Sequence, residues 1–170
     1  MIAQTPWVEH KFNFDFPSGM YPVLLERMRG THARMKEMVK DVSDKKLSKR
    51  VDGKWSAKEH IGHLTDLEEL HLSRLREFMI GKEILAAADM KNEKTENAHH
   101  NDKKLKKLLK EFRNSREDFI SLLEKADDEL INRKSIHPRL QVPMRLVDMV
   151  YFICEHDDHH LTRMRTAIEN

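Results

Sequence analysis

Cysteine is almost missing: Cys154 stands alone among 170 residues, so no disulfide can close within the chain. Long apolar runs are missing too. The longest, MVYFIC at 149–154, falls far short of the roughly 20 residues that a membrane-spanning helix requires. The opening stretch MIAQTPWVEHKF has neither the basic region nor the apolar segment of a signal peptide, so a cytoplasmic location is expected. Nor does one sign of charge dominate. With 31 Lys and Arg against 29 Asp and Glu, the formal net charge is only +2, which offers no footprint for nucleic acid or an anionic membrane surface. No internal repeat or low-complexity tract appears. A chain of 170 residues suits one domain, 1–170, able to bury about 70% of the surface its unfolded form exposes.

Histidine, by contrast, is abundant, with 11 residues, and apolar side chains recur at helical spacing along most of the chain. KFNFDFP sets Phe12, Phe14 and Phe16 at period two, which predicts an extended arm over 1–20 with one apolar face laid on the core. Pro22 suits a first helical turn, and Leu25, Met28, His32, Met35 and Val39 carry a stripe to about residue 41. Ser56 followed three residues on by Glu59 forms a capping box, so a second helix starts there and ends at Gly81. Ile61, Leu64, Leu72, Leu75 and Met79 supply one apolar edge of it, and His63, Leu67 and Leu70 an adjoining strip. Residues 82–101 read as a crossover with a partial helical turn.

Leu105, Leu108, Phe112, Ser115, Phe119, Leu122 and Ala126 mark a third helix. Its lysines are interrupted by Glu111, Glu117, Asp118 and Glu124, which fits a solvated face rather than a membrane-binding one. SIHPRLQVP at 135–143 is a loop with room for a short strand pair, and the last helix runs from about 144 to 168. The expected fold is all-α: an antiparallel four-helix bundle with a long crossover and an extended N-terminal arm.

In the last helix Met149, Ile153, His156, His160, Met164 and Ala167 follow one another by three or four residues, so two histidines occupy the buried stripe. Side chains four apart have Cβ atoms about 5–6 Å apart, and both imidazoles can reach one ion at about 2.0–2.1 Å. Burying them without a shared partner strands polar nitrogens, at a cost of about 1–3 kcal/mol each. Spacing alone leaves two readings: a metal site completed from a facing helix, or rings partly exposed at the bundle end and bonded to water or to Asp157 and Glu155. His63 looks inward from the second helix. His32 reads as a core or boundary histidine, His159 as solvated, and Cys154 as core, pointing away from His156. Glu68 with His71 and Glu96 with His99 match the E-x-x-H spacing of di-iron bundles, but the second pair falls in the polar crossover and two further inward glutamates are not evident.

WSAKEHIGHLTDLE at 55–68 places a tryptophan and a capping box before the histidine of an H-L-x-D element, and EHDDHH at 155–160 carries H-x-x-x-H. Together these resemble the DinB-like (damage-inducible) superfamily of metal-binding four-helix bundles, in the right order and helices across most of the chain. The resemblance implies a divalent metal, zinc or nickel among others, held by His63, His156 and His160 with open positions facing solvent. It also implies a small-molecule substrate and, as in some members, a low-molecular-weight thiol. Asp66, one turn after His63, is the candidate for orienting a ligand or accepting a proton. The expected function is that of a metal-dependent thiol S-transferase or hydrolase; the alternative is a non-catalytic module whose metal supports a ligand or partner. A homodimer fits the resemblance, and neither nucleic acid nor a membrane is expected as a partner. ADMKN at 88–92, TENAHHN at 95–101 and HPRL at 137–140 look like features of one subgroup, with no reaction attached to them.

Overall fold

The computed structural model describes residues 2–169. Its long helices are α1 (Tyr21–Val39), α2 (Ala57–Met79), α3 (Leu105–Leu123) and α4 (Leu146–Glu169). The capping box forms as the sequence predicts: Ser56 Oγ accepts from the Glu59 backbone N–H, and Glu59 accepts from that of Ser56. α1 and α2 each pack against both α3 and α4, which places α1 and α2 on one diagonal of a four-helix bundle. Two helices point each way.

The core is divided. One apolar cluster gathers Met28, Leu75, Phe78, Phe119, Ile120 and Ile153, and a second gathers Met35, Ile61, Leu64, Phe112, Leu161 and Met164. Between them every helix contributes a buried polar group at the same level. Arg116 of α3 donates to Glu68 of α2 (2.7 Å) and to Asp157 of α4 (2.5 Å), while Thr31 of α1 donates to Asp157 (2.8 Å). A buried guanidinium is tolerated here because two carboxylates and planar, charge-assisted hydrogen bonds compensate its desolvation. This layer ties all four helices together.

Several details differ from the periodic reading. In α1 Thr31, not His32, takes the buried position, and His32 is half-buried with a pKa lowered by burial and then by Arg113. In α2 Met79 is 58% exposed and Leu72 half-buried, while Phe78 enters the core. In α3 Arg116, Ile120 and Leu123 are buried in place of Ser115 and Leu122. The reason is that each helix must face two neighbours, so its buried surface is wider than one three-and-four stripe.

Outside the bundle the arm behaves as its period predicts: Phe12, Phe14 and Phe16 are half-buried against the first cluster, alternating with exposed Lys11, Asn13 and Asp15. Arg145 anchors it by donating to the Phe14 and Phe16 carbonyls. The crossover holds a short helix, Glu93–Asn97, and a 3₁₀ turn, His100–Asp102. Strands β1 (Lys134–Ile136) and β2 (Pro143–Arg145) pair antiparallel, with Ser135 opposite Met144. Among the described residues no helix is long and apolar enough to cross a membrane.

Candidate metal centre

His63 lies in the second turn of α2, and His156 and His160 lie one turn apart on α4, where the two helices pack together at the level of the polar layer. All three rings are buried, with exposures of 4, 9 and 7%. Each offers one ligand atom, and these atoms lie within 4.8 Å of one another. Ring centroids stand 4.4 Å apart for His156 and His160 and 4.6 Å apart for His63 and His160. The reading that placed the α4 pair partly exposed at the bundle end does not match this burial, and Asp157 is committed to Arg116 and Thr31.

Hydrogen bonds fix which nitrogens are available. Asp66 accepts from Thr95 Oγ1 at 3.0 Å, so the Thr95 hydroxyl has its oxygen free to accept from His63 Nδ1 at 3.1 Å. His63 therefore carries its proton on Nδ1 and turns an unprotonated Nε2 outward. His160 Nδ1 lies 2.9 Å from Nδ1 of His60, a buried residue that the sequence reading passed over. With His160 as the donor in that pair, its Nε2 is likewise free. The Nε2 atoms of His156 and His160 are 3.1 Å apart, close to the roughly 3.3 Å expected of two nitrogens bound tetrahedrally at 2.0–2.1 Å.

The electrostatics suit neutral ligands. Burial pushes the His63 pKa down to about 4 against the opposing pull of Asp66, and burial with the neighbouring histidines holds His156 and His160 well below the usual range. His60 is likewise lowered to about 3, by burial first and His63 next. The buried Nδ1 of His156 finds no hydrogen-bond partner among the described residues. Three neutral imidazoles converging on one point are a donor set that fits a divalent ion of the zinc type.

The cluster opens on a cavity of about 530 Å³, within the range of small-molecule sites. Trp55 stands 4.7 Å from His63 and donates its indole N–H to Glu96 in the crossover. From the arm, Trp7 meets His156 edge to face at 4.7 Å. The arm thus walls the site as well as covering core, a role that period-two spacing cannot reveal because it says nothing of where the arm lands.

Other expectations fall elsewhere. Asp66 is half-buried, accepts a second bond from His100 Nε2 at 2.8 Å, and reaches His63 only through Thr95; it does not line the cavity. Although burial pushes its carboxyl up, the bonds from His100 and Thr95 bring it below the usual value. His159 is not solvated as expected: it is half-buried, lines the cavity and bonds to Gln4. Cys154 is buried in the core with its thiol pushed up to about 12 by burial, which excludes it as a nucleophile. The di-iron alternative also fails on geometry. Glu68 belongs to Arg116, whereas Glu96 is exposed and bonded to Arg50 and Trp55 beside an exposed His99.

Solved structures show the same fold. YfiT from Bacillus subtilis, described as a probable metal-dependent hydrolase with an unusual four-helix bundle topology, matches with a TM-score of 0.77 and 17% identity over 95% of this chain and 93% of its own. A mycothiol-dependent maleylpyruvate isomerase matches with a TM-score of 0.68 and 10% identity, covering 88% of this chain and 61% of that one. No curated protein matches in sequence. The sequence pattern of the DinB superfamily matches residues 21–164, from the start of α1 almost to the end of α4, and the chain belongs to that superfamily.

Proposed function

We propose that the protein is a metal-dependent enzyme of the hydrolase or thiol S-transferase type, in which His63, His156 and His160 hold one divalent ion beside a small molecule in the cavity. The observation that carries this reading is the convergence of three buried, neutral imidazoles on the wall of a cavity of substrate size. When bound, such an ion supplies Lewis-acid chemistry, favouring the ionised form of water or of a small thiol at neutral pH. The chain's own residues do the rest. Thr95 and Asp66 keep the His63 proton on Nδ1, and His60 orients His160. Trp7, Trp55 and Phe152 shield the site from bulk water. With Cys154 buried elsewhere, the nucleophile comes from the bound small molecules or from water. The names of the two structural neighbours, one metal-dependent and one thiol-dependent, support both branches of this proposal.

The test is turnover. Metal-loaded protein should consume a thiol with epoxides or haloalkanes, or hydrolyse esters or amides, and chelation or His156→Ala should abolish the activity. Absence of turnover across both panels with a fully loaded site would overturn the enzymatic reading in favour of a binding module.

A further inference from the structure

Most buried or half-buried cations among the described residues have carboxylate partners. Arg116 pairs with Glu68 and Asp157, Lys58 with Asp44, Arg145 with Asp148, and Arg27 with Glu155 and Asp158. Arg74 and Arg139 have none within ion-pair distance among the described residues. Arg74 is 3% exposed and donates from Nε to the Ala86 carbonyl at 2.9 Å. The nearby Glu77 is engaged by Lys82 Nζ and the Ala86 N–H. Arg139 lies over the rings of Trp7 and Phe152, and one of its terminal nitrogens is buried without a hydrogen-bond partner. Both arginines line the cavity that holds the three histidines.

His137 completes the group. Its Nδ1 accepts from the backbone N–H groups of Arg139 (3.3 Å) and Leu140 (3.2 Å), so the proton sits on Nε2. That nitrogen is buried and has no acceptor, in a residue 2% exposed. Burial together with Arg74 and Arg139 pushes the ring down to about 3, so it stays neutral and remains a donor. Leaving two guanidiniums without a carboxylate partner, and one Arg139 nitrogen and the His137 N–H without any acceptor, costs desolvation that an anionic ligand would offset.

We propose that Arg74, Arg139 and His137 form the recognition wall for a carboxylate on the small molecule that occupies the cavity. The planar donor forks of arginine match the two oxygens of a carboxylate. Asp89, from the other uncommitted segment ADMKN, also lines the cavity and disfavours a phosphate dianion. HPRL then has a purpose: it delivers two of the three donors, with the β1–β2 pair as the frame. The proposal rests on the cavity being the substrate site, as in the function proposed above.

Calorimetric titration of the full-length chain with hexanoate and with hexanamide tests it, run on zinc-loaded and on chelator-treated protein. Hexanoate should bind at least 10-fold more tightly than the amide in both forms, and Arg139→Gln, at a half-buried position, should weaken hexanoate by about 10-fold or more. Arg74→Gln should do the same, with its thermal midpoint recorded to separate binding from folding. Equal binding of acid and amide, or unchanged hexanoate affinity in Arg139→Gln, would overturn the proposal. So would hexanoate binding confined to zinc-loaded protein, which would put the carboxylate on the ion, or inorganic phosphate binding more tightly than hexanoate. Failure of the same protein to take up zinc while hexanoate still binds would remove the metal reading alone.

Discussion

Thr95 stands between two groups that do not touch, passing the negative charge of Asp66 on to His63 as a fixed orientation. Removing its hydroxyl leaves the ring in place but frees its tautomer. Thr95→Val should lower metal affinity by about 10–100-fold, the range typical of lost outer partners of a ligating histidine, as read by competition with a chromophoric chelator. His63, His156 and His160 were legible as candidates because an apolar stripe with histidines in it is a contradiction that the sequence displays. Thr95, His60 and His137 were not. Their partners lie 32, 100 and 2–3 residues away in the chain, and nothing in local periodicity marks a tertiary or loop hydrogen bond.

Acid should destabilise the protein, and the sign follows from two residues. His137 is held at about 3 in the fold against an unfolded value of 6.5, so between those values unfolding takes up a proton and stability falls as pH drops. Glu68, pushed up by burial but held at about 2 by Arg116 and His71, adds stability above its unfolded value of 4.5 that is lost as pH falls toward 2. One proton taken up on unfolding steepens the curve by about 1.4 kcal/mol per pH unit. Urea unfolding of chelator-treated protein should therefore show a declining free energy from pH 6.5 downward, and His137→Gln should flatten it between 6.5 and 4.5.

At the scale of elements, α2 and the crossover depend on a close approach that no local signal in the chain announces. A Cβ on Gly62 would stand 2.2 Å from Cγ of the His100 ring, which packs across the helix there and donates to Asp66. Gly62→Ala should thus lower the thermal midpoint and weaken metal binding, even though alanine favours an isolated helix by about 1 kcal/mol. An unchanged midpoint would show that His100 moves aside without consequence. The four long helices themselves were readable, since caps and apolar spacing are local signals. The interruption of the core was not: Arg116 and Asp157 look like surface charges until α2, α3 and α4 are brought to one level.

For the whole molecule, the polar layer between two apolar clusters is the organising feature. Its interior charges cross-link the helices, and its edge carries the three imidazoles facing the cavity. The layer places the three imidazoles on helices rather than on loops, which would hold them in position for an ion in advance. Loops and arm then shape what can enter: Trp7 from the arm, Trp55 ahead of α2, and Arg139 between the strands. The most direct measurement is a calorimetric zinc titration of chelator-treated wild type beside His63→Ala and His156→Ala. The account predicts one ion per chain in the wild type and at least 100-fold weaker binding in each variant; equal zinc uptake by all three proteins would contradict it.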